Sequence, residues 1–255
     1  TVFTYTLLPP DAQHHGWWHV SEQGILCANH PGNNSPFDLT VAYAWSCNVA
    51  FGDMGLAIGA DAYTEMARRF GLGRSIPFDL PVVASQLYTT PDYFSGQERF
   101  YALASTAFGQ GQLALTPLQM ALVAAAVAND GKMPQPYLVA RVESPVGRTL
   151  ELARPRLLST VMSFHTASLV RAMMIASVDE GWARTAAIGG VKVAGKTGTA
   201  ETAAEEDPHS WFIGFVPGDA PRYAIAVVME RAGYGSAQAA PAAKRVVGAL
   251  FAASR

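Results

Sequence analysis

From Phe37 onward the apolar positions fall at helical spacing. Leu39, Ala42, Tyr43, Ser46, Cys47, Ala50 and Phe51 recur three and four residues apart, behind the capping candidate Ser35 and the Pro36 that follows it. This spacing predicts a helix over 38–51. A second helix is predicted from Ala60 to Phe70, with Ala62, Met66, Ala67 and Phe70 on one face and Gly71 as the stop. Thr116-Pro117 offers an N-cap and a proline at the first helical position, and Leu118, Ala121, Leu122, Ala125 and Ala126 follow before Asn129-Asp130-Gly131. Ser163 to Asp179 is apolar at helical intervals through Leu169, Met173 and Ala176. The last third alternates differently. Val191 to Ala194, Trp211 to Val216 and Tyr223 to Met229 read as adjacent antiparallel strands, with Tyr137 to Val142 as a further strand, Gly147-Arg148 as a turn and 239–253 as a closing Ala-rich helix. Residues 8–36 and 74–100 show no sustained period and read as loops.

Without an internal repeat or a low-complexity linker, the pattern predicts one domain. Residues 1–135 would form mainly a helical lobe with loops, and residues 136–255 mainly a sheet lobe with a C-terminal helix. The opening stretch Thr1-Val2-Phe3-Thr4-Tyr5-Thr6-Leu7 is apolar and β-branched, and reads like the middle of a longer polypeptide.

Composition narrows the function classes. Half of the 255 residues are apolar, 15% are charged, and 18 Lys+Arg against 20 Asp+Glu give a net charge of −2. That balance suits a globular protein, and without a Lys/Arg run it argues against nucleic acid and against polybasic membrane binding. The longest apolar run, Leu118 to Ala128, falls well short of the roughly 20 residues of a membrane span. Cys27 and Cys47 are too few for a disulfide framework, and a single bridge between them stays open.

Gly190 to Thr197 matches G-x-x-x-x-G-K-[ST], the phosphate-cradling loop of nucleotide hydrolases. That loop requires a helix whose positive end follows the lysine. Here Val191-Lys192-Val193 prefers extended structure, and Gly198-Thr199 stands where the helix should start, so the nucleotide reading is disfavoured. His15, His19, Cys27 and His30 form a second tempting set. With Gly16-Trp17-Trp18 between the first two and no second tight pair, they read better as a locally packed loop than as zinc ligands. Glu201, Glu205, Glu206 and Asp207 read as a solvated loop, Met120, Met173 and Met174 as core, and Gly109-Gln110-Gly111 as a turn. No cofactor or metal is expected.

Read from Lys196, the glycine-rich stretch is Lys196-Thr197-Gly198-Thr199 on an edge-like strand, and far upstream Ser46-Cys47-Asn48 closes the first predicted helix. Each triplet alone is weak; Ser46 would bond back to the preceding turn, Asn48 would cap a helix end, and Lys196 would be a solvated charge. The company is more specific. Tyr43 to Phe51, Gly109-Gln110-Gly111 with Thr116 to Ala121, and Gly195 to Glu201 with Trp211 to Phe215 stand in an order that closely resembles the transpeptidase domain of class B penicillin-binding proteins.

That resemblance implies an α/β (α+β) fold of the β-lactamase/transpeptidase type, an antiparallel sheet flanked by helices with a helical lobe. It also implies acyl transfer from D-Ala-D-Ala stem peptides in peptidoglycan cross-linking, and binding of β-lactams. By resemblance, Ser46 relays a proton to the leaving amine, Asn48 hydrogen-bonds the substrate amide, and Lys196 holds a positive potential over the site. Thr197 and Thr199 take the terminal carboxylate, Gly198 lets substrate backbone lie close, and the Thr199 N–H gives half of an oxyanion hole. The expected setting is the extracytoplasmic face of a bacterial cytoplasmic membrane, with an upstream anchor and possible cell-wall synthesis partner proteins.

One departure matters. No serine in the sequence is followed three residues later by lysine; Lys132, Lys192, Lys196 and Lys244 have Asn129, Gly189, Val193 and Pro241 at that offset. The S-x-x-K nucleophile and its base, with the first sheet strands, are therefore expected upstream of Thr1 in a longer parent. If the chain were the whole molecule, it would form no covalent penicilloyl adduct and would be poorly stable, with surfaces made for the absent helix exposed. Two alternatives remain: a non-catalytic relative that binds stem peptide as sensor or scaffold, and a β-lactamase, disfavoured because no deacylating Glu motif is evident.

Overall fold

The computed structural model of the chain describes residues 17–18, 25–26, 37–202 and 206–253. Most of the predicted 8–36 loop, with Ser35-Pro36 and the His15/His19/Cys27/His30 set, lies outside the described residues; within it, β1 (Trp17–Trp18) and β2 (Ile25–Leu26) pair antiparallel.

The single helix predicted over 38–51 is two helices, α1 (Leu39–Ala44) and α2 (Asn48–Ile58). Asp38 is the cap of α1, its carboxylate accepting the Val41 N–H at 2.9 Å. The break comes at Ser46, whose φ of 58° lies in the left-handed region. There the Ser46 N–H bonds the Tyr43 carbonyl and the Cys47 N–H bonds the Ala42 carbonyl, the pair of bonds of a Schellman stop. Ser46 therefore lies in a turn between helices, not on a helix.

The helix predicted from residue 60 is α3 (Ala60–Arg69), but none of its residues is buried, so the apolar face read from sequence is not a core face. Helix α4 (Arg99–Ala107) overlaps the predicted 74–100 loop only at Arg99 and Phe100 and otherwise fills a stretch for which the sequence predicted no element. The Thr116-Pro117 start of α5 (Pro117–Ala128) holds as expected, the Thr116 hydroxyl accepting the Gln119 N–H at 3.2 Å.

Two small ribbons follow: β3 (Lys132–Pro134) pairs with β6 (Leu157–Thr160), and β4 (Arg141–Glu143) pairs with β5 (Thr149–Leu152). The strand predicted over 137–142 begins only at Arg141. The Leu138 and Val139 N–H groups donate to the Asp79 carboxylate instead of to a ladder, and hold that carboxyl below its usual range. In α6 (Phe164–Asp179), capped by Ser163, the buried positions are Ala167, Met174, Ser177 and Val178; Leu169 is exposed.

The last third forms as predicted, an antiparallel sheet in the order β7-β8-β9 made of β7 (Ala194–Ala200), β8 (His209–Val216) and β9 (Tyr223–Met229). The first strand starts at Ala194, not Val191: the Val191 N–H closes a turn onto Ile188, and the Lys192 carbonyl accepts from Gly218. No helix follows Lys196-Thr197, which rules out the phosphate-loop geometry. α7 (Ala239–Ala253) closes the described chain.

Alternation along β8 divides the core. Phe212 and Val216 pack on one face with Ala239, Ala240, Ala243 and Val247 of α7, while Phe215 packs on the other with Val127 of α5 and Met174 of α6. Burying a Phe or Val side chain contributes about 1.5–3 kcal/mol, so this sandwich anchors the sheet through β8, the neighbour of β7, while the other edge of β7 carries no strand among the described residues.

Candidate active site

The Schellman stop that ends α1 places a side chain where helices usually place glycine. A non-glycine residue in the left-handed region costs about 1–2 kcal/mol, and here that conformation aims the Ser46 hydroxyl at Lys196. The Lys196 Nζ donates to Ser46 Oγ at 2.8 Å, although 150 residues separate them, and to the Thr197 carbonyl at 2.9 Å. The ammonium also stands 5.8 Å from the centroid of the Tyr43 ring.

Burial lowers the Lys196 ammonium from 10.5 to about 8, and pushes the Tyr43 phenol up. A lysine that titrates near neutrality, in hydrogen-bond contact with a hydroxyl, can pass a proton through it in either direction.

The turn is held from behind. The Trp182 indole N–H donates to the Trp45 carbonyl at 2.8 Å, its backbone N–H donates to the Ala44 carbonyl at 3.1 Å, and its ring meets Trp45 edge-on at 5.3 Å. Those carbonyls are the ones a helix end leaves orphaned. Gly181 lies so close that a Cβ there would overlap the Ala44 oxygen. Cys47, fully buried with Phe37, Ala42 and Ala50, is disulfide-bonded; the chain's other cysteine, Cys27, lies outside the described residues. Asn48 opens α2 two residues beyond Ser46.

In the sheet order, β7 has one neighbour, so its second edge carries no strand among the described residues. Which groups face that edge follows from their partners. The Thr199 carbonyl accepts from Gln110 Nε2 at 2.9 Å, and the Glu201 N–H donates to Gln110 Oε1 at 3.3 Å. In an antiparallel ladder a residue's N–H and C=O share an edge, so the Thr199 N–H also opens away from β8. Thr197 is buried, paired in register with Phe212, and Gly198 faces Trp211. Gly235 presses against the Gly198 and Trp211 backbones, and its N–H reaches the Thr199 hydroxyl at 3.4 Å.

Ser46, Lys196, Thr197 and the Thr199 edge are thus brought together. Gln110, Trp182, Gly181 and Gly235 were not singled out as site residues by sequence. Only Gly109-Gln110-Gly111 carried a signal, as a turn that is one block of the resemblance and whose counterpart in the family lies near the site. Glu201, Glu206 and Asp207 are exposed, as expected of a solvated loop, with Glu206 paired to Arg231 at 3.1 Å; Glu205 lies outside the described residues. Met174 is core, while Met120 and Met173 are half-buried. Among the described residues, no group of three His, Cys, Asp or Glu side chains is placed to hold a metal ion.

The arrangement has three chemical capacities. It holds a cation with hydroxyls beside it, suited to a carboxylate. It offers a serine hydroxyl in line with a titrating amine, and an outward backbone N–H on a rigid edge, suited to an oxyanion.

Residues 10–248 match the family described as the penicillin binding protein transpeptidase domain. The chain is 35% identical over 228 residues to the peptidoglycan D,D-transpeptidase PbpA of Mycolicibacterium smegmatis, covering 86% of this chain and 45% of that protein. It is 36% identical over 244 residues to PbpA of Mycobacterium tuberculosis, covering 89% of this chain and 46% of that protein. Among solved structures, the ceftriaxone acyl-enzyme complex of M. tuberculosis penicillin-binding protein A superposes with a TM-score of 0.80 at 32% identity, covering 91% of this chain and 53% of that one. The D,D-transpeptidase domain of a peptidoglycan glycosyltransferase from Eggerthella lenta gives 0.82 at 32% identity, covering 99% of this chain and 60% of that one. The chain spans about half the length of the curated relatives it matches.

Proposed function

Because this chain belongs to the penicillin-binding protein transpeptidase family, we propose that the protein containing it is a serine D,D-transpeptidase that cross-links peptidoglycan stem peptides and is acylated by β-lactams. The observation that carries the reading is the 2.8 Å contact between Lys196 Nζ and Ser46 Oγ beside the unpaired edge of β7.

In the reaction, a serine hydroxyl adds to the carbonyl of the penultimate D-Ala and the terminal D-Ala leaves as an amine, taking up a proton. An amine of a neighbouring stem then attacks the ester, and the serine regains its proton. Ser46 hands the proton to the leaving amine and is reprotonated through Lys196. Lys196 with Thr197 and Thr199 holds the terminal carboxylate, Asn48 bonds the substrate amide, and Gly198 keeps the edge open to substrate backbone. The Thr199 N–H takes the oxyanion, a contribution of about 3 kcal/mol per donor. The nucleophile is assigned to the part of the protein that these residues do not include, since no serine here stands three residues before a lysine. The substrate places the work on the extracytoplasmic face of the bacterial cytoplasmic membrane, with cell-wall synthesis proteins as partners; no helix among the described residues is long and apolar enough to cross a membrane.

The test is labelling of the full-length protein with a fluorescent penicillin. A covalent, slowly released adduct is expected, forming on the order of 100-fold more slowly in Ser46→Ala and Lys196→Ala, and not forming on residues 1–255 alone. Rapid turnover of the adduct would point to a β-lactamase. Stem-peptide binding without any adduct would point to a sensor or scaffold, the second reading that the missing S-x-x-K keeps in view.

A further inference from the structure

Gln110 reaches β7 from the stop of α4. Gly109, at a φ of 94°, turns the chain there, and the Gly109 and Gln110 N–H groups bond the Thr106 and Ser105 carbonyls. The side-chain amide then makes two bonds of opposite sense on β7's unpaired edge. Its Nε2 donates to the carbonyl of Thr199, and its Oε1 accepts from the N–H of Glu201, two residues on.

A donor to the carbonyl of residue i and an acceptor for the N–H of residue i+2 are what a single residue of a parallel strand supplies. Gln110 is therefore one rung of a strand built from a side chain. It satisfies two edge groups that would otherwise face solvent at the end of β7, and it fixes the peptide planes on either side of Ala200.

We propose that Gln110 is a positioning residue for the acyl transfer. By clamping the Thr199 carbonyl and the Glu201 N–H, it fixes the two peptides that follow Thr199 and so anchors Thr199 from its C-terminal side, steadying the N–H that meets the developing oxyanion, and it marks where an extended substrate stops pairing along β7. A carbonyl has two lone pairs, so the Thr199 oxygen can accept both from Gln110 and from a substrate amide docked on the same edge. The inference rests on the transpeptidase reading, but the clamp itself can be measured apart from it.

In the full-length protein, Gln110→Met keeps the length of the side chain and removes both bonds. Gln110→Glu keeps the acceptor for Glu201 and loses the donor to Thr199. With benzylpenicillin in stopped flow, Gln110→Met is expected to lower the acylation rate constant on the order of 10- to 100-fold, while the dissociation constant of the preceding complex moves less than about 3-fold. Gln110→Glu is expected to show a similar loss at pH 8. Its rate relative to wild type should recover as pH falls toward 5, where the protonated carboxyl regains an O–H donor.

Amide hydrogen exchange reads the clamp without any reaction. In Gln110→Met the Glu201 amide should exchange at least about 10-fold faster, while the Gly198 amide, on the β8 side of the same strand, keeps its rate. An unchanged Glu201 amide, an unchanged acylation constant, a loss confined to binding, or faster acylation each overturns the proposal. A wild-type protein that binds benzylpenicillin without acylation overturns the transpeptidase reading instead, and the exchange experiment still decides the clamp.

Discussion

Helices α1, α3, α4 and α5 end alike, with a left-handed residue past the last turn, yet two of those residues are glycine and two are not. Gly71 and Gly109 stand at φ 91° and 94°, where Leu72 bonds back to Ala67 and Gln110 to Ser105. Ser46 and Asp130 stand at φ 58° and 55°, where Cys47 bonds back to Ala42 and Gly131 to Ala126. Both non-glycine side chains are held by a cation, Ser46 by Lys196 at 2.8 Å and Asp130 by Arg171 at 2.8 Å. Left-handed strain is tolerated where a charge-assisted bond offsets it. At Asp130 the bond joins α5 to α6, two core elements; at Ser46 it joins a turn to the unpaired edge of the sheet. The same device is structural in one place and, on the transpeptidase reading, chemical in the other.

Replacing each side chain with glycine separates the two roles. Ser46→Gly relieves the left-handed strain but also removes the Lys196 contact that offsets it, so the thermal midpoint of the full-length protein should change little, while β-lactam acylation falls on the order of 100-fold or more. Asp130→Gly makes the same exchange, strain relieved against a lost Arg171 contact, so its midpoint should also change little, and acylation should stay within about 3-fold. Wild-type acylation in Ser46→Gly would remove the hydroxyl from the chemistry.

The next effect in size is that of pH on the cation. Lys196 titrates at about 8 in the fold against 10.5 unperturbed. Below 8 it is protonated in both folded and unfolded states. Between about 8 and 10.5 the unfolded chain binds more protons, so this group makes the fold more stable as pH rises through that window. Carboxylate binding runs the other way. Affinity for a substrate held by the ammonium should fall by up to about tenfold per pH unit above 8, in wild type but not in Lys196→Arg. An affinity flat to pH 9.5 would mean that the carboxylate is held elsewhere.

The stops also show why part of the molecule was legible in sequence and part was not. Thr116-Pro117 announces α5 because cap and first turn are adjacent in the chain, and β8 and β9 announce themselves by composition. The Ser46 stop is silent. The apolar spacing from Leu39 to Phe51 runs straight across it, and serine carries no mark of a left-handed φ. Helix α4 is silent for another reason: Ala102 to Thr106 are all buried, so no polar face gives it a period. Strands β3 and β6 are too short to show alternation. Ser46 and Lys196 were legible as motif residues, whereas Trp182, Gly235 and the clamp of Gln110 exist only through contacts between distant segments.

Close backbone approach gives a smaller, structural test of the same comparison. A Cβ on Gly181 would overlap the Ala44 oxygen beneath the Ser46 stop, and one on Gly235 would overlap the Gly198 and Trp211 oxygens beneath β7. Gly181→Ala and Gly235→Ala should each destabilise by about 1–3 kcal/mol in chemical denaturation, and each should slow acylation by shifting one side of the Ser46–Lys196 contact. Full stability in either variant would mean that the turn or the strand yields without resistance.

The smallest effect compares the two glycine stops. A Cβ on Gly109 would meet nothing within 4 Å, and one on Gly71 would meet only the Gln119 amide at 3.8 Å. Alanine at either site therefore pays for conformation alone, about 1–2 kcal/mol, and the two variants should unfold at similar denaturant concentrations. Their activities should part. Gly71→Ala disturbs a stop beyond a helix with no buried residue, far in the chain from Ser46 and Lys196, and should acylate like wild type. Gly109→Ala disturbs the turn that delivers Gln110 to the Thr199 carbonyl, and should slow acylation and speed exchange of the Glu201 amide in proportion. Equal acylation in the two variants at equal loss of stability would show that the path from Gly109 through Gln110 to the edge of β7 carries no influence on the reaction.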